Sequence, residues 1–322
     1  AFTPSLTYKI EWEIDSDTEA HSRLQDIYFD YAFADTFHLR FGQFKPPQGR
    51  QEQVSEFMSM LVDRSMANEA FNLGRSIGLM AHGDMFDRKL SYQIGLSNGF
   101  ENERDDVRDI DSNFAYSTRL VWHVTGEMGK FESDYEYHEK PAMDVGVHFA
   151  YNDDNGDVSG PRLIYAVPEL IRAGRAGFGS LDATGTDYYQ FGADWNFKLR
   201  GLYLGAEYFL RTVVNDNGNS LWRRLTLRKG STHIHGGHLQ AGYFVIPKKL
   251  ELAARIGAIW DETGESTTEY TGGMNYYIYK HNLKLSLDVT HTPESAVSSS
   301  SAGYVQGDEM TMIRVQIQVA LE

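Results

Sequence analysis

Cysteine is absent from these 322 residues, which removes disulfide staples and thiol chemistry and conflicts with nothing in an oxidising envelope. Long apolar runs are missing as well. No stretch approaches the roughly 18 residues that a transmembrane helix needs, and a hydrophobic fraction of 41% is low for a helical membrane protein. A membrane is not thereby excluded, because a barrel exposes apolar side chains only at alternate positions. Basic charge is in deficit: 30 Lys and Arg stand against 45 Asp and Glu, a net charge of −15. That balance argues against a nucleic-acid partner, which would be repelled. There is no nucleophile elbow, phosphate loop or zinc signature, so no enzymatic activity, cofactor or bound metal is expected. The chain opens at Ala1 without Met or a charged-then-apolar leader, and is expected to be a mature or truncated form.

What the sequence does contain is alternation. Nineteen Tyr, eighteen Phe and thirty Gly against eight Pro favour β structure with tight turns. Fourteen stretches of eight to twelve residues switch between apolar and polar at successive positions. Strand side chains point to opposite faces with period two, so each stretch has one apolar and one polar face. In the clearest of them, Leu250, Leu252, Ala254, Ile256, Ala258 and Trp260 share one face, while Lys249, Glu251 and Arg255 occupy the other. Such a repeat, with lipid outside and water inside, is what a barrel wall requires. The expected fold is all-β, a transmembrane antiparallel β-barrel in a single domain over 1–322.

The predicted strands run from Ser5–Asp15 to Glu309–Leu321, and their connections alternate in length. Short links fall near Asp35, Gly201 and Pro247, and long ones span 46–74, 153–185, 213–232 and 292–308. A barrel with periplasmic turns and outer loops sorts its links in this way. Tyr8, Trp12, Phe29, Tyr31, Trp122, Tyr151, Trp195, Tyr243 and Trp260 lie on the apolar parity near strand ends, as interfacial aromatic girdles do. The other parity carries the predicted lumen wall: Lys9, Arg40, Arg119, Arg211, Arg255, Lys284 and Arg314, with acids such as Glu11, Glu13, Asp26, Asp30, Asp144, Asp194, Glu207, Glu251, Glu269 and Asp288. Unpaired charges in a dry core cost several kcal/mol each, so this row is expected to face water.

Several segments carry a family resemblance: Tyr8-Lys9-Ile10-Glu11-Trp12-Glu13, Leu39-Arg40-Phe41-Gly42-Gln43-Phe44-Lys45, Leu61-Val62-Asp63-Arg64, Val145-Gly146-Val147-His148-Phe149-Ala150-Tyr151 and Leu239-Gln240-Ala241-Gly242-Tyr243-Phe244. Their order and spacing, across nearly the whole chain, resemble the phosphate-selective porin O and P family. The resemblance implies a sixteen-stranded barrel, assembly as a homotrimer in the bacterial outer membrane, and two strands preceding Ser5 that this chain does not include. It also implies that loop 153–185 folds inward as the constriction, presenting Arg162, Arg172 and Arg175, with Arg64 nearby and Glu13 as the opposing carboxylate. The apolar run Leu163–Ile171 within that loop agrees, being poorly suited to solvent. Forked guanidinium donors suit phosphate-like oxyanions, and charge rings line selective pores. One departure stands out. Where the family carries lysines ahead of Arg64, this chain has Glu52 and Phe57, with Glu56 nearby.

Other signals are weaker. On a strand His233 and His235 share a face and His238 lies opposite, so they read as a polar loop end and not as a metal site. The acidic run 101–111 lacks calcium-loop spacing and reads as a solvated loop, while Arg223, Arg224, Arg228 and Lys229 read as an electrostatic mouth. The expected function is a porin giving passive diffusion of small hydrophilic solutes, with anions preferred, in contact with outer-membrane lipid and lipopolysaccharide. The rival expectation is a structural or adhesive barrel serving another envelope protein.

Overall fold

The computed structural model describes residues 5–15, 21–100, 114–154, 186–215, 231–261, 264, 266–297, 303–305 and 307–320. Its fourteen strands are β1 Leu6–Asp15, β2 His21–Ala34, β3 Phe37–Phe44, β4 Ser76–Met85, β5 Leu90–Ser97, β6 Ala115–Thr125 and β7 Ala142–Asp154. They continue as β8 Thr186–Leu199, β9 Leu202–Asn215, β10 Ser231–Ile246, β11 Leu250–Trp260, β12 Ser266–Tyr279, β13 Leu283–Thr292 and β14 Met310–Val319. All join one antiparallel sheet in which spatial order equals sequence order. Among the described residues β1 and β14 do not pair with each other, so the sheet is not closed.

The sheet is inside out compared with that of a water-soluble domain. Along β11 the apolar residues Leu252, Ala254 and Ile256 are exposed, whereas Glu251 and Arg255 are buried. Trp12, Phe29, Trp122 and Tyr243 also face outward. A contiguous exposed apolar surface of this extent belongs in hydrocarbon. Tight two-residue links, such as Asp35-Thr36 and Arg200-Gly201, hold neighbouring strands in register at one end.

The inward face is filled by the connection between β3 and β4. It contains α1 Arg50–Gln53, a 3-10 turn Glu56–Met58 and α2 Met66–Phe71. Ser65 caps α2 by accepting a hydrogen bond from the Asn68 amide. Met66, Ala67, Ala70 and Phe71 pack on Phe209, Ile234 and Ile259 of the wall, and Phe71 stacks on Phe209 at 5.3 Å. Met60 and Leu61 join a second cluster with Met128, Tyr203 and Ala253. Glycines of the wall make room for this packing. A Cβ at Gly242 would meet Met60 Sδ at 2.2 Å, and one at Gly273 would meet Leu61 Cδ2 at 2.9 Å. The connection 126–141, at the short-turn end, also turns inward: Glu132 accepts from the Met60 amide at 3.0 Å and Asp134 from the Gly201 amide at 2.7 Å.

Candidate functional site

The charged inward row meets protein over most of its length. Arg119 donates to the Gln48 carbonyl at 3.0 Å, Arg211 to the Ala70 carbonyl at 3.2 Å, and Lys284 to the Ser59 carbonyl at 3.0 Å. Arg255 donates to the carbonyls of Asp63 and Arg64 at 2.8 and 3.1 Å, and Arg314 contacts the Asp63 carboxylate at 2.6 Å. Each arginine on β6, β11 and β14 also has a wall acid: Asp194 for Arg119, Glu269 for Arg255 and Asp288 for Arg314. The expectation that this row faces water therefore needs correcting for Arg119, Arg211, Arg255 and Lys284, all of which are buried. Desolvation is offset by paired carboxylates and by backbone carbonyls of the inward segment.

Open space remains on the side of β1–β3. There, a cavity of about 370 Å³ lies between the wall and the segment 45–64. Five cations line it: Lys9 from β1, Arg40 from β3, and Lys45, Arg64 and Arg75 from the connection. Glu11, Asp26 and Glu56 share the lining. Each cation rests on a carboxylate. Lys9 pairs with Asp26 at 2.6 Å, Arg75 with Asp26 at 2.9 Å, Arg40 with Asp30 at 2.8 Å, and Lys45 with Glu52 at 2.9 Å. Arg64 is held by Glu56 at 2.9 Å and Glu52 at 3.3 Å. Asp26, Asp30 and Glu52 have side chains only 8% exposed, against 44% for Lys9 and 23% for Arg40. Asp26, Asp30 and Glu52 thus sit behind the cations, while Glu11 and Glu56, 36% and 63% exposed, stand beside them at the cavity surface. Arg40 also stacks over Tyr28, 4.1 Å from the ring centroid.

Charge within the connection follows from this geometry. Burial acts to raise the Glu52 pKa, but Arg64, Lys45 and the Asn68 amide outweigh it and pull it down to about 2. Burial opposes the charged form of Arg64, yet Glu52 and Glu56 hold its pKa above the ordinary arginine value. Asp63 is pushed upward by burial despite Arg314.

Of the residues predicted for the constriction, Arg64 lines the cavity together with the predicted wall residues Lys9 and Arg40. Arg314 lies on the wall beside Asp63. Arg162, Arg172 and Arg175, the acidic run 101–111 and the basic cluster 223–229 lie outside the described residues, and Glu13 belongs to β1 with its side chain likewise outside them. His238 faces inward to Ser65 at 3.1 Å, while His233 contacts Thr212. Sequence reasoning missed Lys45 and Arg75 as lining residues and, above all, the inward course of 46–74. A partial signal was present in Met60-Leu61-Val62, an apolar run unsuited to an outer loop.

Comparison with solved structures places this architecture among outer-membrane channels. The chain is similar to an anion-selective porin from Comamonas acidovorans at 11% identity, covering 98% of this chain and 84% of that one with a TM-score of 0.61. It is similar to outer-membrane expressed OmpT of Vibrio cholerae at 10% identity, with coverages of 96% and 82% and a TM-score of 0.58. For OmpF of Salmonella typhi in complex with daunomycin the values are 14%, 97%, 85% and 0.56. At these identities the likeness concerns the fold. No curated protein sequence matches the chain. The family profile described as phosphate-selective porin O and P matches residues 5–321. With a lipid-suited outer row, a charged inner row and a lumen narrowed by its own connections, the chain belongs to the phosphate-selective porin O and P family and is an outer-membrane porin.

Proposed function

We propose that the cleft between β1–β3 and segment 45–64 is the constriction of an anion-preferring diffusion pore. The observation that carries this reading is the arrangement of Lys9, Arg40, Lys45, Arg64 and Arg75 over buried acids. Small hydrophilic anions, phosphate-like oxyanions among them, exchange water for forked and single donors as they pass. The acids keep any one cation from gripping the solute, so that it leaves as readily as it enters. Arg162, Arg172 and Arg175 of loop 153–185 add to the same field, with Glu13 as counter-carboxylate. Glu52, in place of a family lysine, lowers that field and favours general anion passage over tight phosphate selection. The protein works as a channel, without covalent chemistry, and assembles as a homotrimer amid outer-membrane lipid and lipopolysaccharide. A trimer form is described for OmpT of Vibrio cholerae, of similar fold.

A second reading is favoured by one observation. Segment 46–74 and connection 126–141 pack densely against the wall, as in a plugged barrel with a structural or adhesive role. Planar bilayers separate the two. Purified protein giving stepwise conductance supports the pore, and a membrane that stays sealed supports the plug.

A further inference from the structure

Beside the cleft, on the inward face of β2–β4, two histidines that the pore does not require converge on Asp30, the acid that holds Arg40. His38 on β3 and His82 on β4 are partners in register, with ring centroids 4.9 Å apart. Asp30 on β2 faces Arg40, two positions along the same face from His38. Its carboxylate lies 3.5 Å from His38 Nδ1 and 2.8 Å from His82 Nε2. One ligand atom from each residue falls within 4.8 Å of the others, and among the described residues no other group of three His, Cys, Asp or Glu side chains meets so closely.

We propose that Asp30, His38 and His82 bind a divalent transition-metal ion of the zinc class. The donor set selects the class. Two imidazoles and one carboxylate suit zinc and its neighbours, whereas calcium and magnesium take oxygen ligands. The spacing suits it too. Bonds of about 2.0–2.1 Å in a tetrahedral site separate neighbouring donors by roughly 3.3 Å, close to the 3.5 Å between Asp30 and His38, while the 2.8 Å hydrogen bond between Asp30 and His82 has to open to admit the ion. The ligands stand on three consecutive strands, β2 and β4 each hydrogen-bonded to β3, so little ordering is left to binding. Arg40 donates to the same carboxylate at 2.8 Å, fixing its orientation as outer-sphere partners of metal ligands do. The imidazoles are 29% and 20% exposed above an Asp30 side chain that is 8% exposed, which leaves a route in from the lumen. Holding Arg40 in place needs the carboxylate alone; the paired histidines go beyond that. An ion bound here adds positive charge beside Arg40 at the edge of the cleft. The sequence shows no zinc signature, and positions 30, 38 and 82 share no short spacing and meet only through strand pairing.

The test uses the full chain without a polyhistidine tag, stripped with chelator and titrated with zinc chloride in a calorimeter. One zinc ion per chain is expected, with affinity falling at least tenfold in His38→Gln and in His82→Gln and unchanged in His233→Gln. Absence of saturable binding, or equal affinity in the His38→Gln/His82→Gln double variant, overturns the site. Should the variants fail to fold, carbethoxylation of the wild type decides. Zinc is expected to protect His38 and His82 from modification, and unaltered labelling of both refutes the proposal.

Discussion

Arg255 on β11 donates to the Asp63 carbonyl at 2.8 Å while pairing with Glu269 on β12 at 2.6 Å. One buried guanidinium thereby ties the wall to the segment that narrows the lumen. Removing the arginine leaves Glu269 charged and buried, a loss of about 3–5 kcal/mol. Arg255→Met is expected to lower the urea unfolding midpoint of the detergent-solubilised protein accordingly, and the Arg255→Met/Glu269→Met double variant to recover most of that loss. Equal losses in both would show that the pair does not anchor the segment.

Gly242 on β10 leaves room for Met60, whose Sδ would stand 2.2 Å from an added Cβ. Gly242→Leu is expected to push segment 46–64 away from β10 and toward the cleft against β1–β3. Single-channel conductance should fall while the strand signal in circular dichroism is kept. Unchanged conductance would place the passage elsewhere.

Glu52 is held down to about 2 from an ordinary 4.5 by Arg64, Lys45 and Asn68, against the opposing effect of burial. A depressed carboxylate contributes stability that is fully present above pH 4.5 and lost as pH falls toward 2. The contribution is on the order of 3 kcal/mol, at about 1.4 kcal/mol per pKa unit. The stability difference between wild type and Glu52→Gln, followed by urea unfolding, should be large at pH 7 and shrink toward zero between pH 4.5 and 2. A difference that stays constant across that window would contradict the pairing.

Ile256 sits on the outer row of β11, one position from the buried Arg255. Ile256→Arg is expected to destabilise the protein in lipid by about 2–4 kcal/mol if it lies near the bilayer midplane. A neutral effect in refolding titrations would mean that the outer row does not meet hydrocarbon.

Much of this architecture was legible because period-two patterning is local. Strand β1 runs from Leu6 to Asp15, against the predicted Ser5–Asp15, and β11 turns its predicted apolar row, Leu252, Ala254 and Ile256, outward. For segment 46–74 the run Met60-Leu61-Val62 speaks against an outer loop, but its placement was not legible, since that depends on contacts far along the chain. The Gln51 amide bonds to Glu207, the Val62 amide to Asp288 and the Met66 amide to Glu269. An inward carboxylate awaiting a backbone amide looks, in sequence, like one awaiting water. The same ambiguity made Arg119, Arg211, Arg255 and Lys284 read as solvated. Arg75 follows a loop and shares no alternation with a strand, so only its ion pair with Asp26 reveals that it lines the cleft.

Reversal potential across a planar bilayer under a potassium chloride gradient tests the cation-lined cleft most directly. Wild type is expected to show anion preference, reduced in Arg64→Gln and Lys9→Gln and reduced again by Arg172→Gln/Arg175→Gln. A reversal potential at the cation side in wild type, or one that none of these substitutions moves, would contradict it.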